Sequence, residues 1–274
     1  MFRNEKHFFL IRGGLSIYCV EYIPIDSKRL DTTVVLCKPI WGERIRTHMV
    51  FANLARILAQ RGYFVITCDY FGDGNSGGDT HELTFPKMVE SIAHVYEYAC
   101  EKNFPAKNAL IGLRLGANIA MHLEPKIKHT EKMLLFEPIE NPIDYFKEAL
   151  RANLANQMTV HKKILKTRED LIDDLLNNKF VNIDGFVIGG EFWNSFAKIS
   201  PFTVDTDYEN QIVVYSMTPS GRKTKKKDYA WIVKNYAQVQ VENIEQEFIW
   251  TGWKKHVPKP AQFINEIIGR LEKK

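Results

Sequence analysis

The hydrophobic positions of this chain change period several times, and the changes mark its elements. HFFLIRGGLSIYCVEYIP (7–24) reads as two strands joined by Gly13-Gly14, a pair suited to a two-residue hairpin turn. TTVVLCKP (32–39) is a compact β-branched run, the signature of a buried strand. From Thr47 to Arg61 the apolar residues fall at Val50, Phe51, Leu54, Ile57 and Leu58, which is helical spacing, and Gly62 ends it. YFVITCDY (63–70) is the next buried strand, followed by a glycine-rich loop, FGDGNSGGDTHE (71–82). Phe85 to Glu101 form a second amphipathic helix. NALIGL is then a strand, LGANIAMHLEPKI a helix and KMLLFEP a strand.

This alternation of continuous apolar strands with helices predicts an α/β fold with a mostly parallel sheet covered on both faces. Ligand sites in such sheets lie beyond the carboxyl ends of the strands. The pattern breaks at residue 139. Residues 139–205 read as a helical, basic insertion that caps the sheet, with a turn-rich piece, NIDGFVIGGEFW, inside it. QIVVYSM resumes the strands, KKKDYAWIVKNYA is a helix, QEFIW a last strand and PAQFINEIIGRL a closing helix, with Pro258 and Pro260 where a helix start tolerates proline. The expected organisation is one domain: core residues 1–138, cap 139–205, and core again over 206–274.

Composition narrows the functions open to this fold. With 45% hydrophobic and 26% charged residues the chain is ordinarily globular, and a formal net charge of +4 over 274 residues does not point to nucleic acid. The N-terminal MFRNEKHFFLIRGG has no apolar core of signal-peptide length, and no stretch approaches the roughly 20 apolar residues of a membrane span. Cys19, Cys37, Cys68 and Cys100 are widely spaced and read as reduced core thiols of a cytoplasmic protein. No metal-ligand spacing occurs. Gly72, Gly74 and Gly77 fit GxGxxG, but no helix follows directly, so neither a dinucleotide nor any other cofactor is expected. The five cations of GRKTKKKD (Arg222, Lys223, Lys225, Lys226 and Lys227) read as a solvated loop or as a contact for an anionic partner. Without interleaved aromatics they make a poor nucleic-acid platform. Nothing in the sequence specifies an oligomeric state.

The candidate chemistry sits at ALIGLRLGAN (109–118). It has the outline of a nucleophile elbow, strand, G-x-S-x-G, helix, with Arg114 where the serine belongs. A guanidinium stays protonated and cannot attack a carbonyl, so serine-type hydrolysis through this position is excluded. What such an elbow keeps is a helix N-terminus near Leu115, which favours anions. Two readings of Arg114 stand side by side: it binds a carboxylate or phosphate there, or it pairs with an acid such as Glu43 or Asp228 and plugs the site. Late in the chain, WTGWKKHVP places His256 after the last expected strand.

The helix, strand and loop LARILAQRGYFVITCDYFGDGNSGG resemble those of alpha/beta hydrolases of the serine aminopeptidase and lysophospholipase-like type, and the elbow and His256 match the same superfamily. WGERIRTHMVFANLARILAQRGY, GLRLGA and FEPIENPIDYFKEALRANLANQM are similar, more narrowly, to hydrolase-like proteins associated with the exosortase A system, in which arginine at the serine position is typical. The resemblance implies an alpha/beta hydrolase fold with a cap, His256 as the general base, and an oxyanion site from Ile40, Trp41 and Gly42 together with Leu115. It puts the acid after VVYSM, where none occurs before Asp228; Glu137 is the alternative. Ser76 would hold the glycine-rich loop and Asp69 would shape its turn. His48 and His122 fall on helices.

Two functions follow. The protein is a non-catalytic or altered member that binds a small acyl or anionic ligand, in support of an exopolysaccharide or protein-sorting pathway. Alternatively it hydrolyses an acyl ester, thioester or amide with water or a non-serine nucleophile and His256 as base.

Overall fold

The computed structural model describes residues 4–103, 107–123, 130–183, 185–199, 211–221, 227–234, 238–251 and 260–273. Eight strands form one sheet in the order β1-β2-β4-β3-β5-β6-β9-β10. They are β1 (Glu5–Arg12), β2 (Leu15–Tyr22), β3 (Thr32–Cys37), β4 (Phe64–Cys68), β5 (Lys107–Leu113), β6 (Thr130–Phe136), β9 (Gln211–Thr218) and β10 (Val239–Glu245). β1 and β2 pair antiparallel, β2 pairs antiparallel with β4, and the remaining pairs are parallel. The hairpin register brings Arg12 opposite Leu15, and Gly13 and Gly14 both take positive φ, as a two-residue turn requires.

Helices cover both faces, and each face has its own apolar core. α1 (Trp41–Gln60) and α8 (Ala261–Glu272) bury Phe51, Leu54, Leu58, Phe263 and Ile267 on one side. α2 (Phe85–Lys102) and α3 (Leu115–Leu123) bury Met88, Ile92, Val95 and Ile119 on the other. Between β6 and β9 the chain forms α4 (Pro142–His161), α5 (Arg168–Leu176), a hairpin of β7 (Val181–Ile183) and β8 (Phe186–Ile188), and α6 (Gly190–Ala197). Phe146, Leu175, Phe192 and Phe196 of this insertion share the core of α2 and α3. Trp41 stacks on Phe192 and lies 5.4 Å from Phe146 by ring centroids. No helix among the described residues is long and apolar enough to cross a membrane.

Three expectations need correction. The first helix begins at Trp41, not Thr47, so most of KPIWGERIRTH is helical. Its apolar stripe was hidden by Glu43 and Arg44, whose charged groups meet Arg114 and Asp73. The last strand is Val239–Glu245, and QEFIW is not a strand. β10 is an edge strand with one partner, β9, so its sequence carries Gln240, Glu242 and Asn243, while Ile249 and Trp250 are buried in the turn beyond it. Of KKKDYAWIVKNYA, the described helix, α7, is only Ala230–Val233, and Asp228 precedes it.

Candidate functional site

The turn from β5 into α3 sets the geometry. Arg114 takes φ +55°, a conformation costly for a side chain with a Cβ, and the residues two positions away on either side are glycines for steric reasons. A Cβ on Gly112 would stand 2.5 Å from the Ala117 Cα, and one on Gly116 would collide with the Cys37 and Lys38 carbonyls. The tight strand-to-helix turn is therefore built by Gly112 and Gly116, whatever residue stands between them. Its backbone is pinned by Arg114 N–H donating to the Phe136 carbonyl at 2.9 Å.

The Arg114 side chain is held on four sides. Nε donates to Glu43 Oε1 at 3.2 Å and one terminal nitrogen to the Glu137 carbonyl at 3.3 Å. The guanidinium carbon lies 5.1 Å from the Trp250 ring centroid and 5.5 Å from that of Tyr145. Burial works against its charge, but Glu43 and Glu137 outweigh that and keep its pKa above the ordinary value. Burial pushes the Glu43 carboxyl up from its ordinary range, and Arg114 and the Tyr145 hydroxyl pull it only part of the way back. Trp41 Nε1 is buried with no hydrogen-bond partner among the described residues.

Arg114 stands between two cavities. The larger, about 960 Å³, lies under α4 and the β7–β8 hairpin, and its walls include Ile40, Trp41, Gly42, Glu43, Tyr145 and Trp250. The smaller, about 620 Å³, is bounded by Glu140, Asp144, Lys227, Asp228 and Tyr229. Ile40, Trp41 and Gly42 thus line the same cavity as Arg114, while Leu115 is wholly buried at the start of α3. Asp228 lies in the smaller cavity, where Oδ1 accepts the Ala230 N–H at 3.2 Å; the acid that bonds Arg114 is Glu43. Glu137, at φ +49°, is buried and turned toward the end of β9. Its Oε1 accepts Met217 N–H at 2.7 Å and its Oε2 accepts Lys227 Nζ at 2.5 Å. His256 and residues Arg222 to Lys226 lie outside the described residues.

The glycine-rich loop is a separate construction. Asp69 accepts Lys38 Nζ at 2.7 Å and Asn75 N–H at 2.9 Å, and Gly74, at φ +63°, leaves no room for a Cβ beside that carboxylate. Ser76 Oγ donates to the Asp69 carbonyl at 2.6 Å and accepts Tyr18 N–H at 2.9 Å, tying the loop to β2. Both side chains therefore serve the loop. His48 is exposed on α1, its pKa lowered by partial burial and by Lys38. His122 contacts its own helix through the Asn118 carbonyl at 2.9 Å and packs edge-on against Phe85. Sequence reasoning named Glu43 as one possible partner of Arg114. It missed the Tyr145 and Trp250 bracket, which comes from two segments with no shared pattern.

The sequence profile of the serine aminopeptidase S33 family matches residues 44–183, just over half of the chain, and the chain belongs to that family. No curated protein matches it. Among solved structures it is similar to Est1E from Butyrivibrio proteoclasticus with ferulic acid bound, at 15% identity over 96% of this chain and 98% of that one, TM-score 0.63. It is also similar to a thermostable carboxyl esterase from Bacillus coagulans in complex with glycerol, at 14% identity over 97% of both chains, TM-score 0.60. At these identities the likeness is one of fold.

Proposed function

We propose that this member of the serine aminopeptidase S33 family has given up nucleophilic catalysis at the elbow and uses the cleft beneath its cap to bind a small acyl or anionic ligand. The observation that carries the reading is Arg114. At the turn where the family fold presents a nucleophile, the chain holds a protonated guanidinium, clamped by Glu43, the Glu137 carbonyl, Tyr145 and Trp250. It has no electron pair to offer a carbonyl. Its charge is already met by Glu43, so an acyl group against Trp41, Tyr145 and Phe186 suits the larger cavity better than a free anion at Arg114. Ferulic acid in one structural neighbour and the carboxyl-ester chemistry named for the other are in keeping with an acyl ligand. The resemblance of GLRLGA and the segment 136–158 to the exosortase A system-associated group is in keeping with this reading, and its four free cysteines suit a reducing compartment such as the cytoplasm.

The test is hydrolysis of p-nitrophenyl butyrate and octanoate by wild type, Arg114→Ser, and Arg114→Ser combined with Glu43→Gln. The double variant is needed because serine alone would leave the Glu43 carboxylate buried beside it without a counter-charge. The reading expects a silent wild type and, if His256 and an acid are still in place, a gain of about 10²-fold or more in the double variant. It also expects wild type to bind octanoate and Ala149→Trp, which fills the cleft, to lose that binding. Wild-type turnover that His256→Ala abolishes would instead establish the hydrolytic alternative, with water or another side chain as nucleophile.

A further inference from the structure

The last two turns of α4 leave the body of the protein. The helix is anchored by Phe146 and Leu150, both fully buried, yet Met158 and Val160 are 47% and 71% exposed. The loop that follows exposes Ile164 by 49% and Leu165 by 54%. These side chains are held outward by an ordered backbone. Lys162, at φ +58°, returns its N–H to the Met158 carbonyl at 3.1 Å, and Gln157 Oε1 accepts the N–H groups of Leu165 and Lys166 at 2.8 and 3.1 Å. Four large apolar residues exposed over eight positions form a patch of the kind that marks an interaction surface.

The tip segment itself is basic, and its nearest acids, Asp170 and Asp174, bond Thr167 and Lys166. From 149 to 168 the sequence has no Asp or Glu, and it carries His161, Lys162, Lys163 and Lys166 beside the apolar residues. Lys166 pairs with Asp174, whereas Lys162 and Lys163 are exposed with no ion pair among the described residues. The patch also frames the larger cavity. Val160 and His161 line it from α4; Ile45 and Arg46 line it from α1, with Ile45 60% exposed and Met49, one turn on, equally so. Apolar side chains interleaved with unpaired cations match an anionic lipid surface, where the apolar groups enter the acyl boundary and the lysines meet the headgroups. An acidic protein would satisfy the cations but would gain less from four apolar side chains standing this far out of the helix.

We infer that the cap tip, residues 158–166, together with Ile45 and Met49, docks on an anionic lipid surface with the cavity mouth facing it. The inference rests on this surface and stands whether or not the cleft binds an acyl ligand. It is tested by co-sedimentation of the full chain with vesicles of phosphatidylcholine alone and of phosphatidylcholine with 30 mol% phosphatidylglycerol, the latter fraction being on the order of a natural anionic leaflet. Wild type partitions onto the anionic vesicles, does not partition onto the neutral ones, and is released by high salt. Lys162→Glu with Lys163→Glu lowers the partition coefficient at least about thirty-fold, from about 1 kcal/mol per lost cation. Val160→Asp with Leu165→Asp lowers it to background. Ile11→Asp, an equally exposed apolar site on the edge strand β1, changes nothing. All these positions are exposed, so unchanged thermal melts keep the comparison valid. Equal partition of wild type and the cap variants overturns the proposal, as does no wild-type binding to anionic vesicles. A concentration-dependent dimer that Val160→Asp with Leu165→Asp abolishes, without vesicle binding, assigns the patch to a second copy of the chain and overturns it as well.

Discussion

Two buried cation–carboxylate pairs lie just beyond the carboxyl ends of the central strands, and they are built to opposite standards. Lys38 and Asp69 meet at 2.7 Å with both side chains under a tenth exposed, and the second oxygen of Asp69 is filled by Asn75. Burial alone would raise the Asp69 pKa, but Lys38, Asn75 and Arg44 outweigh it and hold the carboxyl below its ordinary value. Arg114 and Glu43 meet at 3.2 Å, each about 15% exposed beside an open cavity. There burial wins over Arg114 and Tyr145, so the Glu43 carboxyl sits above its ordinary value. The first pair is a finished joint that fixes the glycine-rich loop. The second stands at the wall of a cleft, where Arg114 and the Tyr145 hydroxyl offset the burial of Glu43 only in part.

The contrast is broken most strongly at the finished joint. Asp69→Ala strands the Lys38 ammonium in the interior and removes the loop's anchor; a loss of about 3–5 kcal/mol in urea unfolding is expected. Ser76→Ala removes two hydrogen bonds around the same loop and is expected to cost about 1–3 kcal/mol by the same measurement, with no separate effect on ligand binding. Glu43→Gln keeps an amide oxygen for Arg114 and relieves a buried carboxylate, so only about 0.5–1.5 kcal/mol is expected, while octanoate affinity changes because the cleft wall has changed. A cost as large as that of Asp69→Ala would mean that the two pairs are equivalent.

The finest discrimination comes from pH. Asp69 has a lowered folded pKa, so just below the ordinary value of 3.8 the unfolded chain holds more protons than the folded one. Its stabilising contribution is full above that value and is lost as pH falls through the folded pKa. Glu43 has a raised folded pKa, so above the ordinary value of 4.5 the folded chain holds more protons. Its contribution is full below 4.5 and is lost as pH rises through the folded pKa. Thermal melts should therefore show the advantage of wild type over Asp69→Asn growing from pH 3 to pH 5. The melting temperature of Glu43→Gln should gain on wild type from pH 4.5 upward. Parallel curves for the two variants would remove the distinction.

Much of this was legible in the chain. TTVVLC, FVITC and ALIGL announce buried parallel strands because a strand covered on both faces must be apolar at every position. GLRLG announces the elbow because only glycine fits where Gly112 and Gly116 lie against backbone. The edge strand β10 was misplaced for the converse reason: with one neighbour and one wet face, Val239–Glu245 has no apolar run to show. The start of α1 was missed because Glu43 and Arg44 look like loop residues until their partners are known. Arg44 meets Asp73 at 2.9 Å, and Glu43 meets Arg114.

The sequence by itself determined the α/β layering, the hairpin, the strained turn and the absence of a serine within it. Each of those follows from residues close together in the chain, through periodicity and backbone sterics. Only the tertiary structure decided what Arg114 touches and what surrounds it. Glu43, Glu137, Tyr145 and Trp250 come from four separate segments, and the cleft beside Arg114 is bordered by an insertion whose exposed tip shows its apolar residues only once the helix is seen to leave the core. Long-range packing chooses such partners, and no local pattern encodes them.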